Sequence, residues 1–275
     1  MRWKRGGISD DIEDLRASSG RRPVGLKLGL GGLVVLGLLS VVFQTDLISP
    51  FMSVGGGEAV PSGSDPGRDA REQGSVEFVS FVLDDAQAVW SQQLPGYRKA
   101  KLVLFRDGVQ SGCGGAQSST GPFYCPADEK VYLDLGFFDE LRTRFRAPGE
   151  FAAAYVVAHE LGHHVQRVLG IEQRVRSLQR QNRAAANELS VKMELQADCL
   201  AGVWAHSTAQ RQLLESGDLE SGLAAASAVG DDRIQKETMG RVHPESFTHG
   251  TSAQREQWFR RGYERGDVGA CEPFN

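Results

Sequence analysis

The chain is divided by a break in polarity near its start. Residues 1–27 are polar and charged, and Leu28–Phe43 then runs for sixteen residues with no charge or strong polar group. The apolar stretch reaches past Gln44 and Thr45 toward Ile48, so residues 28–48 come close to the roughly 20 positions a membrane-spanning helix needs. Two other structures could carry such a run. A cleaved signal peptide would have a small-residue site soon after it, where Gln44-Thr45-Asp46-Leu47 stands instead. A buried core helix would show a polar face, and this run has none. It is read here as a retained single transmembrane anchor. Residues 49–75, rich in Gly, Ser, Pro and Asp, read as a flexible tether, and 76–275 as the folded domain.

Within the domain, Val76–Gln93 has helical spacing, with Phe78, Phe81, Val82, Ala86 and Trp90 on one side. Lys101–Phe105 and Lys130–Leu135 read as strands, and the Gly-rich stretch Val109–Pro126 between them as a loop. Glu150–Leu169 is a long apolar helical run. Gln173–Ser207 is mostly helical with a break near Ala184–Glu188, and Leu219–Val229 and Ala253–Arg265 are further helices. Few strands and many helices predict an α+β fold, mainly helical with a small sheet. The Val131–Leu135 strand is either a sheet edge that aligns an extended peptide or a core strand.

Charge changes the picture at the N-terminus only. Seven basic residues precede Leu28 (Arg2, Lys4, Arg5, Arg16, Arg21, Arg22 and Lys27), which predicts a cytoplasmic leader over 1–27 and an extracytoplasmic domain. The net charge of −4 gives no reason to expect a nucleic-acid partner, and no Gly-rich phosphate loop follows a strand. Four cysteines are present, none spaced as CxxC. In an exported domain they would be oxidised. Cys113 and Cys125 flank the Gly-rich loop and are expected to pair, leaving Cys199 with Cys271.

The chemistry lies in the long apolar helix. His159-Glu160-Leu161-Gly162-His163 is HExxH, and positions i and i+4 share one helix face, so two imidazoles can grip one Zn²⁺ ion. Glu160 lies one step around the helix, where it can act as general base toward water rather than as a ligand. A surface helix with incidental histidines is the alternative, but three of the six histidines fall here and the helix is otherwise apolar. A catalytic zinc needs a third protein ligand. Gln166 and Leu169 stand where the metzincin pattern needs Gly and His, which excludes that class. Glu194-Leu195-Gln196-Ala197-Asp198 offers ExxxD on a second helix, with Glu194 as the metal ligand and Asp198 holding a ligand histidine from behind. An ordinary solvated acidic pair is the alternative there.

Several longer stretches surround these residues: Ser111–Gly114, Gly121–Asp128, Val131–Leu135, His159–Val165 and Ser246–Gly250. Together with the basic leader and apolar run, they make the chain resemble the bacterial family known as "putative neutral zinc metallopeptidase". The resemblance implies a zincin-like catalytic domain of the gluzincin type. A second, weaker likeness is to the membrane proteases that process CAAX and heat-shock substrates, which carry HExxH, a later ExxxD, then Thr-His-Pro and an arginine. Here Thr248-His249 is followed by Gly250, and Arg255 comes six residues after the histidine. That likeness makes His249 and Arg255 candidates for binding a substrate carbonyl or the oxyanion, with a packing or capping role for His249 as the alternative. His164 points off the ligand face, and His206 and His243 carry no motif.

The sequence thus reads as a zinc-dependent endopeptidase held at the bacterial inner membrane by one helix, its catalytic domain periplasmic. Its partners would be peptide or protein substrates of the cell envelope. The alternatives are a non-catalytic metal-stabilised scaffold and a hydrolase of cell-wall peptides. Glu160 argues against the scaffold, since a structural metal site has no use for a base. Nothing in the pattern speaks to oligomeric state.

Overall fold

The structure is a computed structural model that describes residues 1–17 and 66–274. The apolar run 28–48 therefore lies outside the described residues, and no helix among those described is long and apolar enough to cross a membrane. Eight α-helices and two small sheets make up the described fold, an α+β arrangement.

The main sheet has the order β1-β2-β6-β5, with β1 Ile12–Asp14, β2 Lys101–Phe105, β5 Phe123–Cys125 and β6 Lys130–Asp134. Strands β1 and β6 flank β2 in parallel, and β5 runs antiparallel to β6. All but the first residue of β2 and of β6 are buried, as expected of strands covered on both faces. Leu102, Leu104, Val131 and Leu133 enter the main core. Val103, Phe105 and Tyr132 point the other way, into a second cluster with Cys125, Val109 and Phe123. The stretch read as a loop holds real strands: β3 Gly108–Ser111 and β4 Gly114–Gln117 form a hairpin, and β5 follows. Strand β6 is interior, so the sheet edge beside the domain's cleft is β5 and not Val131–Leu135. Strands β3 and β4 are short and rich in glycine and polar residues, and β5 has three residues, so none shows alternation; β3 and β4 are set by pairing with each other and β5 by pairing with β6.

The first helix, α1, spans Pro66–Gln93, so the domain begins ten residues before the predicted boundary at 76. Its opening turns are polar enough to read as tether. They are held by ions instead: Arg68 pairs with Glu72 at 2.7 Å, and Arg106 at the end of β2 reaches Asp69 and Glu72, both at 2.6 Å. Helix α2 (Gly136–Thr143) and helix α7 (Asp231–Met239) are short and were not apparent from periodicity. The long central helix α3 is Glu150–Val168, with residues 151–162 and 164–166 buried. Around it pack α4 (Ile171–Gln181), α5 (Ala186–Gln210), α6 (Asp218–Ala228) and α8 (Ser252–Arg265). The predicted break near 184 is a 3₁₀ turn, Arg183–Ala185, whose start is capped by the Asn182 side chain accepting from Ala184 N.

Two close crossings place the site. A Cβ on Gly162 would lie 2.9 Å from the Ala197 carbonyl oxygen, so α3 and α5 approach within backbone contact beside the histidines. Helix α8 crosses α5 where Gly262 meets Gly202; a methyl on either would collide with the carbonyl oxygens of Cys199 or Phe259. Both disulfides have the expected partners: Cys113–Cys125 joins the hairpin to β5, and Cys199–Cys271 ties the C-terminus to α5.

Residues 1–17 are built into the domain. Backbone Leu102 N donates to Asp11 O at 2.8 Å and Leu15 N to Leu104 O at 2.8 Å, making β1 a true sheet strand. Lys130 Nζ binds Glu13 at 2.7 Å, and Arg16 binds Glu72 at 2.8 Å. The Met1 α-ammonium is buried between Asp218 and Glu215, each at 3.1 Å, and the Met1 side chain joins the core. This corrects the reading of 1–27 as a leader separate from the domain. Residues 1–17 and 66–274 share one fold, so they lie on the same side of any membrane. A single span between a cytoplasmic N-terminus and a periplasmic domain is incompatible with these contacts.

Candidate metal centre

Helix α3 presents His159 and His163 on one face, one turn apart, with ring centroids 4.9 Å apart. Helix α5, brought close at Gly162, carries Glu194 to the same point. Its Oε2 lies 3.1 Å from His159 Nε2, and its Oε1 lies 3.4 Å from His163 Nε2. One donor atom from each of the three lies within 4.8 Å of the others. Both imidazoles are held from behind through Nδ1. His159 Nδ1 donates to Asp198 Oδ1 at 2.8 Å, and His163 Nδ1 donates to Gln166 Oε1 at 2.9 Å. The Nε2 lone pairs are thereby turned toward Glu194. Two imidazole nitrogens, one carboxylate and an approach from a cleft form the donor set of a three-ligand zinc site with an open position.

The electrostatics favour a cation at this point. Burial opposes a charge on His159, but Asp198 and then Glu194 outweigh it and push its pKa up to about 9. Burial likewise opposes a charge on His163, and Glu194 overrides it and raises the pKa. Glu194 is held well below the usual carboxylate range: burial acts against this, and the two histidines win. Both histidines are thereby biased toward their charged forms, and a metal ion would compete with protons for their ring nitrogens.

Behind the histidines lies a fully buried ionic cluster. Arg255 donates from Nε to Asp198 Oδ2 at 2.8 Å and from Nη2 to Asp198 Oδ1 at 3.0 Å. Its Nη1 donates to Val229 O at 3.2 Å, and Nη2 lies 3.3 Å from the ring nitrogens of His159. Tyr155 Oη also donates to Asp198. Arg255 borders the cleft, but its guanidinium is committed to Asp198 and the back of His159.

Glu160 is buried and lines the cleft, a cavity of about 680 Å³ that also contains His159, His163 and Glu194. Phe123 and Tyr124 of the edge strand form part of its wall, with Phe137, Phe145, Val156 and Val175. His249 borders the cleft on a loop before α8, half exposed, with Nδ1 3.2 Å from Asp231 Oδ1. That hydrogen bond raises the His249 pKa. Asp231 also accepts the backbone N–H groups of Thr248, His249 and Gly250 at 2.7, 2.6 and 3.1 Å, fixing the loop. His164 points away from Glu194: its Nε2 donates to Arg98 O at 2.6 Å, leaving Nδ1 to accept from Tyr124 Oη at 2.9 Å. His206 and His243 lie elsewhere, on Tyr263 O and Glu245.

The sequence reading missed Gln166, Tyr155 and Asp231. Gln166 is at i+3 from His163, which helix geometry could have flagged. Asp231 opens a helix of nine residues with no apolar stripe, and only the fold brings it to His249.

The family described as "Putative neutral zinc metallopeptidase" matches residues 1–274. The chain belongs to that family. Its relatives include an uncharacterized protein of Escherichia coli K12, YpfJ, 46% identical over 286 aligned residues that cover 100% of this chain and 99% of that one. An uncharacterized protein of Mycobacterium tuberculosis H37Rv is 47% identical over 203 residues, 70% of this chain and 68% of that one. No solved structure is significantly similar.

Proposed function

We propose that this protein is a zinc-dependent endopeptidase acting on peptides or proteins of the cell envelope. The observation that carries the reading is the convergence of His159 Nε2, His163 Nε2 and the Glu194 carboxylate beside Glu160 in a cleft walled by a sheet edge. Zinc held by those three residues would supply the Lewis acidity that peptide hydrolysis needs at neutral pH. Glu160 takes the proton of the attacking water and later delivers it to the leaving amine nitrogen. His249, its pKa raised by Asp231, faces the carbonyl oxygen as it gains negative charge. Arg255 acts through Asp198 and His159, keeping the ligand ring in place. The free edge of β5, Phe123–Cys125, offers backbone groups to an extended peptide.

Two disulfides support an oxidising, extracytoplasmic location for the domain. The apolar run 28–48 supports attachment to the cytoplasmic membrane. The docked leader adds that residues 17 and 66 share one side of it.

The test is to incubate the full-length protein with denatured protein and with purified cell wall, each with and without chelator. Chelator-sensitive cleavage of the denatured protein is the expected result. Release of cell-wall peptides alone would replace the substrate, and no cleavage of either by zinc-loaded protein would overturn the peptidase reading.

A further inference from the structure

The two histidines are held from behind in different ways. His159 rests on a charged carboxylate, Asp198, itself fixed by Arg255 and Tyr155. His163 rests on a neutral amide that is the first member of a chain. Gln166 Oε1 accepts from His163 Nδ1 at 2.9 Å. Gln166 Nε2 donates to Gln196 Oε1 at 3.0 Å and to Met193 O at 2.7 Å. Gln196 Nε2 donates to Cys271 O at 2.9 Å. Cys271 is covalently bound to Cys199, which follows Gln196 by three residues on α5. Each amide presents its NH₂ to carbonyl oxygens and its oxygen to an N–H, so the direction of the relay is fixed. Both glutamines are buried, at 0% and 4% exposure, where an amide that loses its partner gains no water in exchange.

Cys271 closes a 3₁₀ turn, Val268–Cys271, and the disulfide is the covalent tie that holds this turn on α5. We propose that Gln166 and Gln196 are positioning residues that couple the Cys199–Cys271 disulfide to the aim of the His163 zinc-binding nitrogen. The inference rests on the zinc reading of the site above. Reduction by a dithiol adds two electrons and two protons, so Cys199 and Cys271 become thiols while the dithiol closes to its own disulfide. The Cys271 carbonyl then loses its fixed place, Gln196 loses its acceptor and shifts, and Gln166 is left with Met193 O, one of the two acceptors that orient it under His163. High zinc affinity is thereby reserved for the oxidised chain.

The experiment measures zinc affinity of the full-length protein by competition with a chromophoric chelator, with thermal unfolding of each metal-free variant as a check of folding. Gln166→Leu should weaken zinc binding by roughly 10- to 100-fold, the range for residues behind a ligand. Gln196→Leu, and the pair Cys199→Ser with Cys271→Ser, should each weaken it by a smaller factor, about threefold or more. The decisive result is their combination: adding Gln196→Leu to the disulfide-free protein should cost nothing further, because both cut one path. Additive losses, or a Gln166→Leu protein that binds zinc like the parent, overturn the proposal. If the disulfide-free chain does not fold, the Gln166→Leu and Gln196→Leu pair decides alone, and Gln196→Leu must lose its effect in the Gln166→Leu background. Zinc affinity reads the relay even in a protein that hydrolyses nothing, so its failure is distinguishable from failure of the peptidase reading.

Discussion

Arg255 and Asp198 form a buried two-contact ion pair, at 2.8 and 3.0 Å, directly behind the ring of His159. Removing one partner strands the other charge in the core, which typically costs about 3–5 kcal/mol. Arg255→Met keeps bulk and removes charge. It should lower the stability of the metal-free protein by that amount in denaturant unfolding. A loss below about 1 kcal/mol would mean that the pair contributes little beyond its neighbours.

The identity of the third ligand separates two nearby glutamates. Glu194 faces both histidines, whereas Glu188 is exposed and paired with Lys192 at 2.9 Å. Glu194→Ala should abolish tight zinc binding and Glu188→Ala should leave it unchanged. Asp198→Ala should fall between, at roughly 10- to 100-fold in affinity. Zinc titration of the three proteins checks the order, and a reversal of the two glutamates would reassign the site.

Glu160→Gln preserves size and one hydrogen-bonding oxygen but cannot accept a proton. Peptide hydrolysis should fall by at least about 100-fold, in line with loss of a general base. Zinc content, measured on the same sample, should stay at the parent level. Retained activity would remove Glu160 from the mechanism.

The metal-free site should be sensitive to alkali. The folded-state pKa of His159, about 9, lies above the unfolded value near 6.5, so the charged imidazolium stabilises the fold fully below pH 6.5. That contribution is lost as pH rises through 9, and it amounts to roughly 3 kcal/mol. Apparent zinc affinity should move the other way, tightening across the same window as fewer protons compete for Nε2. Chemical unfolding of chelated protein at pH 6, 7.5 and 9, alongside zinc titrations, reads both trends. A flat stability profile with pH-independent affinity would contradict the assigned charge state.

The docked N-terminus predicts that residues 1–17 lie against α1 in the cell. Ser9 N donates to Ser80 Oγ at 2.6 Å. Cysteines introduced as Ser9→Cys and Ser80→Cys should be joined in intact cells by a short bifunctional thiol reagent. Separation of the two by a membrane would leave them unjoined.

Spacing made part of this site readable in advance. HExxH fixes two residues on one helix face by geometry alone, and Glu194 with Asp198 repeats that one-turn relation on the partner helix. The long apolar period of α3 and the helical spacing in α5 and α8 placed those helices to within about three residues. What stayed hidden depends on contacts between distant segments. Strand β5 is three residues long and owes its existence to β6. The first turns of α1 look like a tether because their partners, Arg16 and Arg106, lie far away in sequence. A basic N-terminus beside an apolar run points to topology, and its pairing with β2 carries no local signal.

The buried α-ammonium of Met1 has a consequence for synthesis. Its carboxylate partners, Asp218 and Glu215, are made more than 200 residues later, so a residue made early is among the last to find its place. Until then β2 has an open edge, and the N-terminal strand must be kept from pairing elsewhere. Completion of this fold therefore waits on the last quarter of the chain.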